Sequence, residues 1–311
     1  MGFKTDTSFL RFLTMGTLGV RQTMRQLEMS GFRPIELERY CGSNKIWATK
    51  VKRLRLPDVL CVNTGLRVEV RAKSDLKIRM SDAPTNPERR WDRGLRDDDL
   101  AAFIACFDTD AGLQVAEEAV FFTIKVLRDS VGQSTLGKPK SASEGAERDR
   151  TWPSIIPTRH GIVQSGDSEQ LIVLMHGDDK PPRRQSYKLS GKRVYVAPGD
   201  GFKAKASILA GAPESLANLA FYLNRKYDPI RDLQSPSHVD RYAAVKALPY
   251  REDLHGQAVS ALEQLLNKET EERVALEAGG PLLCLDHRWD KSESIGFCGD
   301  RTGLIYVWRL S

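Results

Sequence analysis

With 311 residues the chain has length for two or three domains of common size, and 41% hydrophobic with 28% charged residues is the balance of a soluble globular protein. No run of about 18 apolar residues is present to span a bilayer. The first twenty residues carry only short apolar pieces broken by Arg11, Thr14 and Gly16, and Asp6 stands where N-myristoylation needs Ser or Thr. A membrane protein is therefore excluded and a cytoplasmic location expected. Five widely spaced cysteines without a C-x-x-C pair argue against a disulfide framework and against a zinc site. The formal charge of +6 is modest but unevenly placed, because basic residues crowd the stretch 45–79, a density suited to a phosphate backbone. A solvated basic face is the plainer alternative.

In chain order, Val20, Met24 and Leu27 predict a helix over 16–30, with Gly31 as its stop. Residues 32–40 alternate Ile35 and Leu37 against Glu36 and Glu38, the period-two pattern of a strand. The extended runs VKRLRLPDVLCV and LRVEVRAK, joined by Asn63, Thr64 and Gly65, predict a hairpin. A charged loop over 81–96 leads to Asp97, Asp98 and Asp99, placed to cap a helix over 100–107. The run AVFFTIKVL is expected as a buried strand. Helix, three strands, helix and strand make an α/β domain over 1–131. Ser, Gly, Lys and Glu dominate 132–150, which is expected as a flexible linker or loop. Short β-rich pieces between Gly, Pro and Asp turns predict a small all-β module over 151–211.

The segment 212–283 turns helical and alanine-rich. AAVKAL, AVSALEQLL and VALEAGG recur at intervals of fourteen to sixteen residues, as helices joined by short turns do, and the segment resembles a HEAT repeat. An ordinary helical bundle is the alternative. That resemblance implies an extended surface for a protein partner or for more DNA. Residues 284–311 form an atypical C-terminal tail ending in the strand-like GLIYVWRL; GDRTGLIYVW is similar to one strand pair of a WD repeat, although one blade fragment cannot stand alone.

Phosphodiester hydrolysis needs a divalent cation to hold the phosphate and to lower the pKa of an attacking water, and a hard cation needs converging carboxylate oxygens. Pro57 and Asp58 open one strand of the predicted hairpin, and eleven residues later Glu69 lies on its partner. Side chains alternate on a strand, so Glu69, Arg71 and Lys73 share one face while Val68, Val70 and Ala72 face the core. Here the sequence resembles the PD-(D/E)XK nuclease superfamily, the fold of restriction endonucleases and archaeal Holliday-junction resolvases, over roughly residues 16–127.

The resemblance implies a restriction-endonuclease-like α/β domain, a central mixed sheet flanked by helices. In it Asp58 and Glu69 hold Mg²⁺ or Mn²⁺. The family's Lys, two residues after the Glu, positions water and stabilises the phosphorus, but Arg71 stands at that position, and Lys73 lies two further along on the same face. Arginine stays protonated and cannot act as a base, though it can stabilise charge on a phosphoryl oxygen. The helix also lacks an early Glu found in resolvase-like members, for which Glu36 or Glu38 is a candidate replacement.

Lys45, Lys50, Lys52, Arg53 and Arg55 are the candidate nucleic-acid contacts, with Trp47 and Trp91 able either to stack on a base or to fill the core. Asp97, Asp98 and Asp99 could hold metal, but capping explains them more simply. The five histidines are far apart without ligand spacing, and neither G-x-S-x-G nor a P-loop is present. The expected function is a metal-dependent DNA endonuclease, for which bacterial defence against foreign DNA is a natural setting by analogy. Its rival is a DNA-binding or scaffold component whose nuclease-like domain has lost its Lys. Under that rival, Asp58 and Glu69 are a turn acid and a surface ion pair with Arg67 or Arg71. An RNA-directed nuclease is the remote third reading.

Overall fold

Helix α1 (Thr7–Met29) is longer than its apolar core alone predicts, starting nine residues before Gly16. Met15, Val20 and Leu27 are buried on one face, and Arg21, Arg25 and Glu28 are exposed on the other. The helix stops as the sequence requires. Gly31 takes φ +93°, its N–H donates to the Glu28 carbonyl (2.9 Å), and Phe32 N–H donates to the Leu27 carbonyl (3.0 Å), a complete Schellman ending with Phe32 buried. This computed structural model describes residues 7–37, 55–74, 77–109, 112–140, 147–155, 161–166, 170–177, 180–188, 193–197, 203–207, 218–271, 274–275, 277–279, 295–299 and 305–309. The chain divides into two compact units. The first comprises Met1–Val51, Pro57–Cys61 and Leu66–Asn224, and the second Lys52–Leu56, Val62–Gly65 and Arg225–Ser311.

The first unit is built on a mixed sheet. β1 (Pro34–Glu36) pairs antiparallel with β2 (Val59–Cys61), and β2 pairs antiparallel with β3 (Leu66–Lys73). β4 (Lys77–Asp82) leaves this sheet, and β3 pairs instead with β5 (Leu100–Thr109), in parallel. The far edge of β5 is shared end to end, by β6 (Gly112–Val115) along its last residues and β7 (Val120–Thr123) along its first. α1 packs on the sheet at Gly19, where a Cβ would lie 2.9 Å from the Ala72 Cβ. Gln26 fixes the approach to β7 by bonding both the N–H and the carbonyl of Ala119.

Two expectations are corrected here. Residues 100–107 are not a helix: Leu100 to Cys106 are all buried in the strand β5, between β3 on one side and β6 and β7 on the other. A strand covered on both faces reads as a continuous apolar run, which a short stretch of Leu and Ala does not distinguish from a buried helix. The run AVFFTIKVL is strand only to Thr123, whose hydroxyl accepts from the Val126 N–H and starts helix α2 (Ile124–Asp129).

Strands also lie within the stretch expected as a linker. β8 (Thr135–Leu136) pairs with β9 (Arg148–Ile155), and β9 pairs with β4 in a second, three-stranded antiparallel sheet. Ion pairs hold it: Arg150 with Asp82 (2.8 Å), Lys140 with Asp149 (2.7 Å), and Arg89 with Glu147. Trp152 is buried, donates to the Leu127 carbonyl (3.0 Å) and meets Trp91 edge-on with ring centroids 5.0 Å apart. The predicted loop 81–96 begins with the last residues of β4 and contains a 3-10 turn at Pro87–Arg89 capped by Asn86.

β10 (Gly161–Gly166), β11 (Gln170–Gly177) and β12 (Lys180–Lys188) form an antiparallel meander, and β13 (Arg193–Ala197) and β14 (Lys203–Ser207) a hairpin. A short helix, α3 (Leu219–Tyr222), adds Tyr222 to the core of the first unit.

The second unit contains α4 (Pro229–Asp232), α5 (His238–Ala247) and α6 (His255–Leu266), followed by the hairpin of β15 (Ile295–Gly299) and β16 (Ile305–Arg309). Ala244, Leu248, Ala258, Leu262 and Leu265 are all buried, as the helical spacing of the apolar residues requires. Arg241 clamps Glu269 through both carboxylate oxygens (2.6 and 2.7 Å) and also donates to the carbonyls of Ser235 and Pro236. Asp228, Ile230, Arg231, Gln234, Gln257, Ser260, Ala261 and Gln264 line an open cleft of about 480 Å³. Among the described residues no helix is long and apolar enough to cross a membrane.

Candidate functional site

The site grows out of the pairing of β2 with β3. Val59 stands opposite Val68, so one step back along β2 Asp58 stands opposite Glu69. Pro57 has no N–H for the ladder and β2 begins only after it. Where the ladder stops, the Asp58 carboxylate takes over: its Oδ2 accepts the Val70 N–H at 2.7 Å. That bond fixes the orientation of Asp58 and joins it to the strand bearing Glu69.

Arg71 closes the group. Its Nη2 pairs with Glu69 Oε1, its Nη1 lies 3.7 Å from Asp58 Oδ2, and the same Nη1 donates to the Val70 carbonyl at 2.9 Å. Two carboxylates and one backbone carbonyl thus converge on a single guanidinium. The side chain of Glu69 is 7% exposed, that of Asp58 15% and that of Arg71 25%, so the acids sit deeper than the cation covering them.

Arg67 belongs to the same row of alternate residues on β3 but is fully buried, and it serves a different partner. Its Nε donates to both oxygens of Asp99 (3.0 and 3.1 Å), and Asp99 also accepts the Arg96 N–H (2.6 Å). Burial pushes the Asp99 carboxyl up from its ordinary value, while Arg67 and the Arg96 N–H pull it back. Asp97 pairs with Arg128, which also binds Asp92 (2.8 Å). Asp97 and Asp99 are therefore ion-pair partners, and no helix starts at them.

Of the residues singled out from sequence, Asp58, Glu69 and Arg71 come together, and Lys73 is half-buried at the end of β3 in the same alternate row. Arg55 is half-buried; Lys45, Lys50, Lys52, Arg53, Trp47 and Glu38 lie outside the described residues. Glu36 is half-buried on β1. Trp91 is core, so stacking on a base is not its role. Burial pushes the Cys61 thiol up to about 12, which leaves it inert as a nucleophile. Sequence reasoning missed the Val70 amide and carbonyl, since backbone atoms leave no trace in residue types.

Among the described residues no three His, Cys, Asp or Glu side chains gather as a metal set. The oxygen donors of Asp58, Glu69 and Val70 are nevertheless hard ligands of the kind Mg²⁺ and Mn²⁺ accept, and they already surround one positive group. The chain matches no family model, no curated protein and no solved structure.

Proposed function

We propose that the chain is a metal-dependent nuclease acting on DNA, with Asp58 and Glu69 as the holders of Mg²⁺ or Mn²⁺. What supports the reading is the convergence of Asp58, Glu69 and the Val70 carbonyl on one cationic group across two neighbouring strands. A divalent ion held there supplies charge to a phosphate and an attacking water of lowered pKa. The Val70 N–H keeps the Asp58 carboxylate aimed. Arg71 provides a permanent charge for the phosphoryl oxygens, and Lys73 is the neighbour able to position water, because an ammonium gives up its proton far more readily than a guanidinium. Lys45, Lys50, Lys52, Arg53 and Arg55 are assigned to the DNA backbone.

The test is plasmid cleavage in Mg²⁺ or Mn²⁺ beside a duplex-binding assay. Asp58→Ala and Glu69→Ala should abolish cleavage while leaving binding largely intact. Lys73→Ala should cost more rate than Arg71→Ala if Lys73 positions the water, and less if the guanidinium suffices.

A second reading has its own support. The contact of Arg71 with both acids also suits a catalytically impaired, DNA-binding scaffold, whose HEAT-like helices and open cleft engage a protein partner. A wild type that binds duplex with steep salt dependence but never cuts, with alanine variants indistinguishable from it, would establish that reading instead.

A further inference from the structure

Arg71 lies against two carboxylates, Asp58 and Glu69. We propose that its guanidinium occupies the position a divalent ion would take between Asp58 and Glu69, and that a phosphate of the nucleic-acid backbone draws it off to let the ion load. The proposal rests on the nuclease reading and adds regulation to it.

Three observations carry the inference. The guanidinium touches Glu69, lies 3.7 Å from Asp58 and donates to the Val70 carbonyl, so an ion bound by those oxygens at 2.0–2.6 Å could not coexist with it. Arg71 is also the most exposed of the three side chains, at 25% against 15% and 7%, so it can swing toward solvent while the acids stay in place. Finally, Asp58 is held by the Val70 N–H independently of Arg71, so this carboxylate stays aimed when the arginine leaves. Phosphate is the fitting lure, because its oxygens match the guanidinium fork as a carboxylate's do. Metal affinity and nucleic-acid affinity must then rise together, since coupling between two ligands is reciprocal.

The experiment titrates Mn²⁺ into the full chain by calorimetry, without and with a phosphorothioate DNA duplex. Without duplex, Arg71→Ala and Arg71→Lys should both bind Mn²⁺ at least about tenfold tighter than wild type, a coupling of ordinary allosteric size. Lysine keeps the charge and guards against a variant that fails to fold, yet it lacks the fork that spans both acids. Adding duplex should tighten Mn²⁺ binding in wild type and leave Arg71→Ala unchanged. Lys125→Gln, which removes an exposed charge on α2, should behave as wild type.

A gain in Arg71→Ala alone would reduce the effect to local charge and overturn the proposal. Equal Mn²⁺ affinity in wild type and both Arg71 variants, lost in Glu69→Gln, would overturn it while sparing the nuclease reading. No Mn²⁺ binding by any of them, with or without duplex, would end both.

Discussion

At the scale of single residues, Arg67 and Glu69 show how alike two charged positions can look in sequence and how differently they are used. Both lie in the alternate row on β3, but Arg67 is sealed against Asp99 and Glu69 sits under the solvent-facing Arg71. The first pair is structural. Removing one partner of a buried ion pair strands the other, at a cost of about 3–5 kcal/mol, whereas replacing both with apolar groups is often neutral. Asp99→Ala is therefore expected to lower unfolding free energy in urea by about that amount. Arg67→Met with Asp99→Leu should recover most of it, and a single-variant loss under about 1 kcal/mol would show that the pair does not hold β3 to β5. The shared face of Glu69, Arg71 and Lys73 was readable because alternation alone specifies it. That Arg71 lies beside both acids was not, since side-chain spacing along one strand says nothing of rotamer.

At the scale of elements, the hairpin of β2 and β3 was readable from the turn around Gly65, which takes φ +69°, and from period-two alternation. β5 was not. Asp97, Asp98 and Asp99 before a Leu- and Ala-rich run look like a helix start, and only the parallel partner β3 and the shared outer edge make the run a strand. The seat of α1 on that sheet makes a sharper test. Gly19→Ala gains about 0.8–1.0 kcal/mol of helix propensity. Against this, its Cβ would lie 2.9 Å from the Ala72 Cβ and 3.1 Å from the Ile104 Cγ2, and overpacking costs about 1–3 kcal/mol. Strain is the larger quantity, so Gly19→Ala should lower the melting temperature and Gly19→Leu should lower it more. A stabilised Gly19→Ala would mean that α1 can retreat from the sheet.

At the scale of the whole molecule, the second unit carries an acid-sensitive ion pair of its own. In the second, burial pushes the Glu269 carboxyl up, but the Arg241 guanidinium and the N–H groups of Thr270 and Glu271 outweigh it and hold the group below the usual glutamate range. A depressed carboxyl pKa adds stability that is complete above the unfolded value and disappears as pH falls through the folded one. Helical circular dichroism in urea should therefore weaken from about pH 5 downward, and Glu269→Gln should flatten that dependence while lowering stability at neutral pH. A variant with the wild-type slope would remove Arg241 and Glu269 from the account. The stretch 132–150 holds β8 and the start of β9, which its composition does not announce. Composition could not show that Arg150 meets Asp82, or that Trp152, just beyond the stretch, meets Trp91, because those partners lie far away in the chain.

The Asp58 carboxylate replaces a ladder carbonyl for one amide, and this gives the protein an internal spectroscopic reporter. The Val70 proton points at an ionisable oxygen, so its resonance senses the charge on that oxygen through 2.7 Å. On the proposed exchange of Arg71 for a diamagnetic ion such as Mg²⁺, electron density on Oδ2 would change and the Val70 amide signal would move with it. Nuclear magnetic resonance on the intact chain would then report whether one cation replaces another at this site, without any substrate being cut.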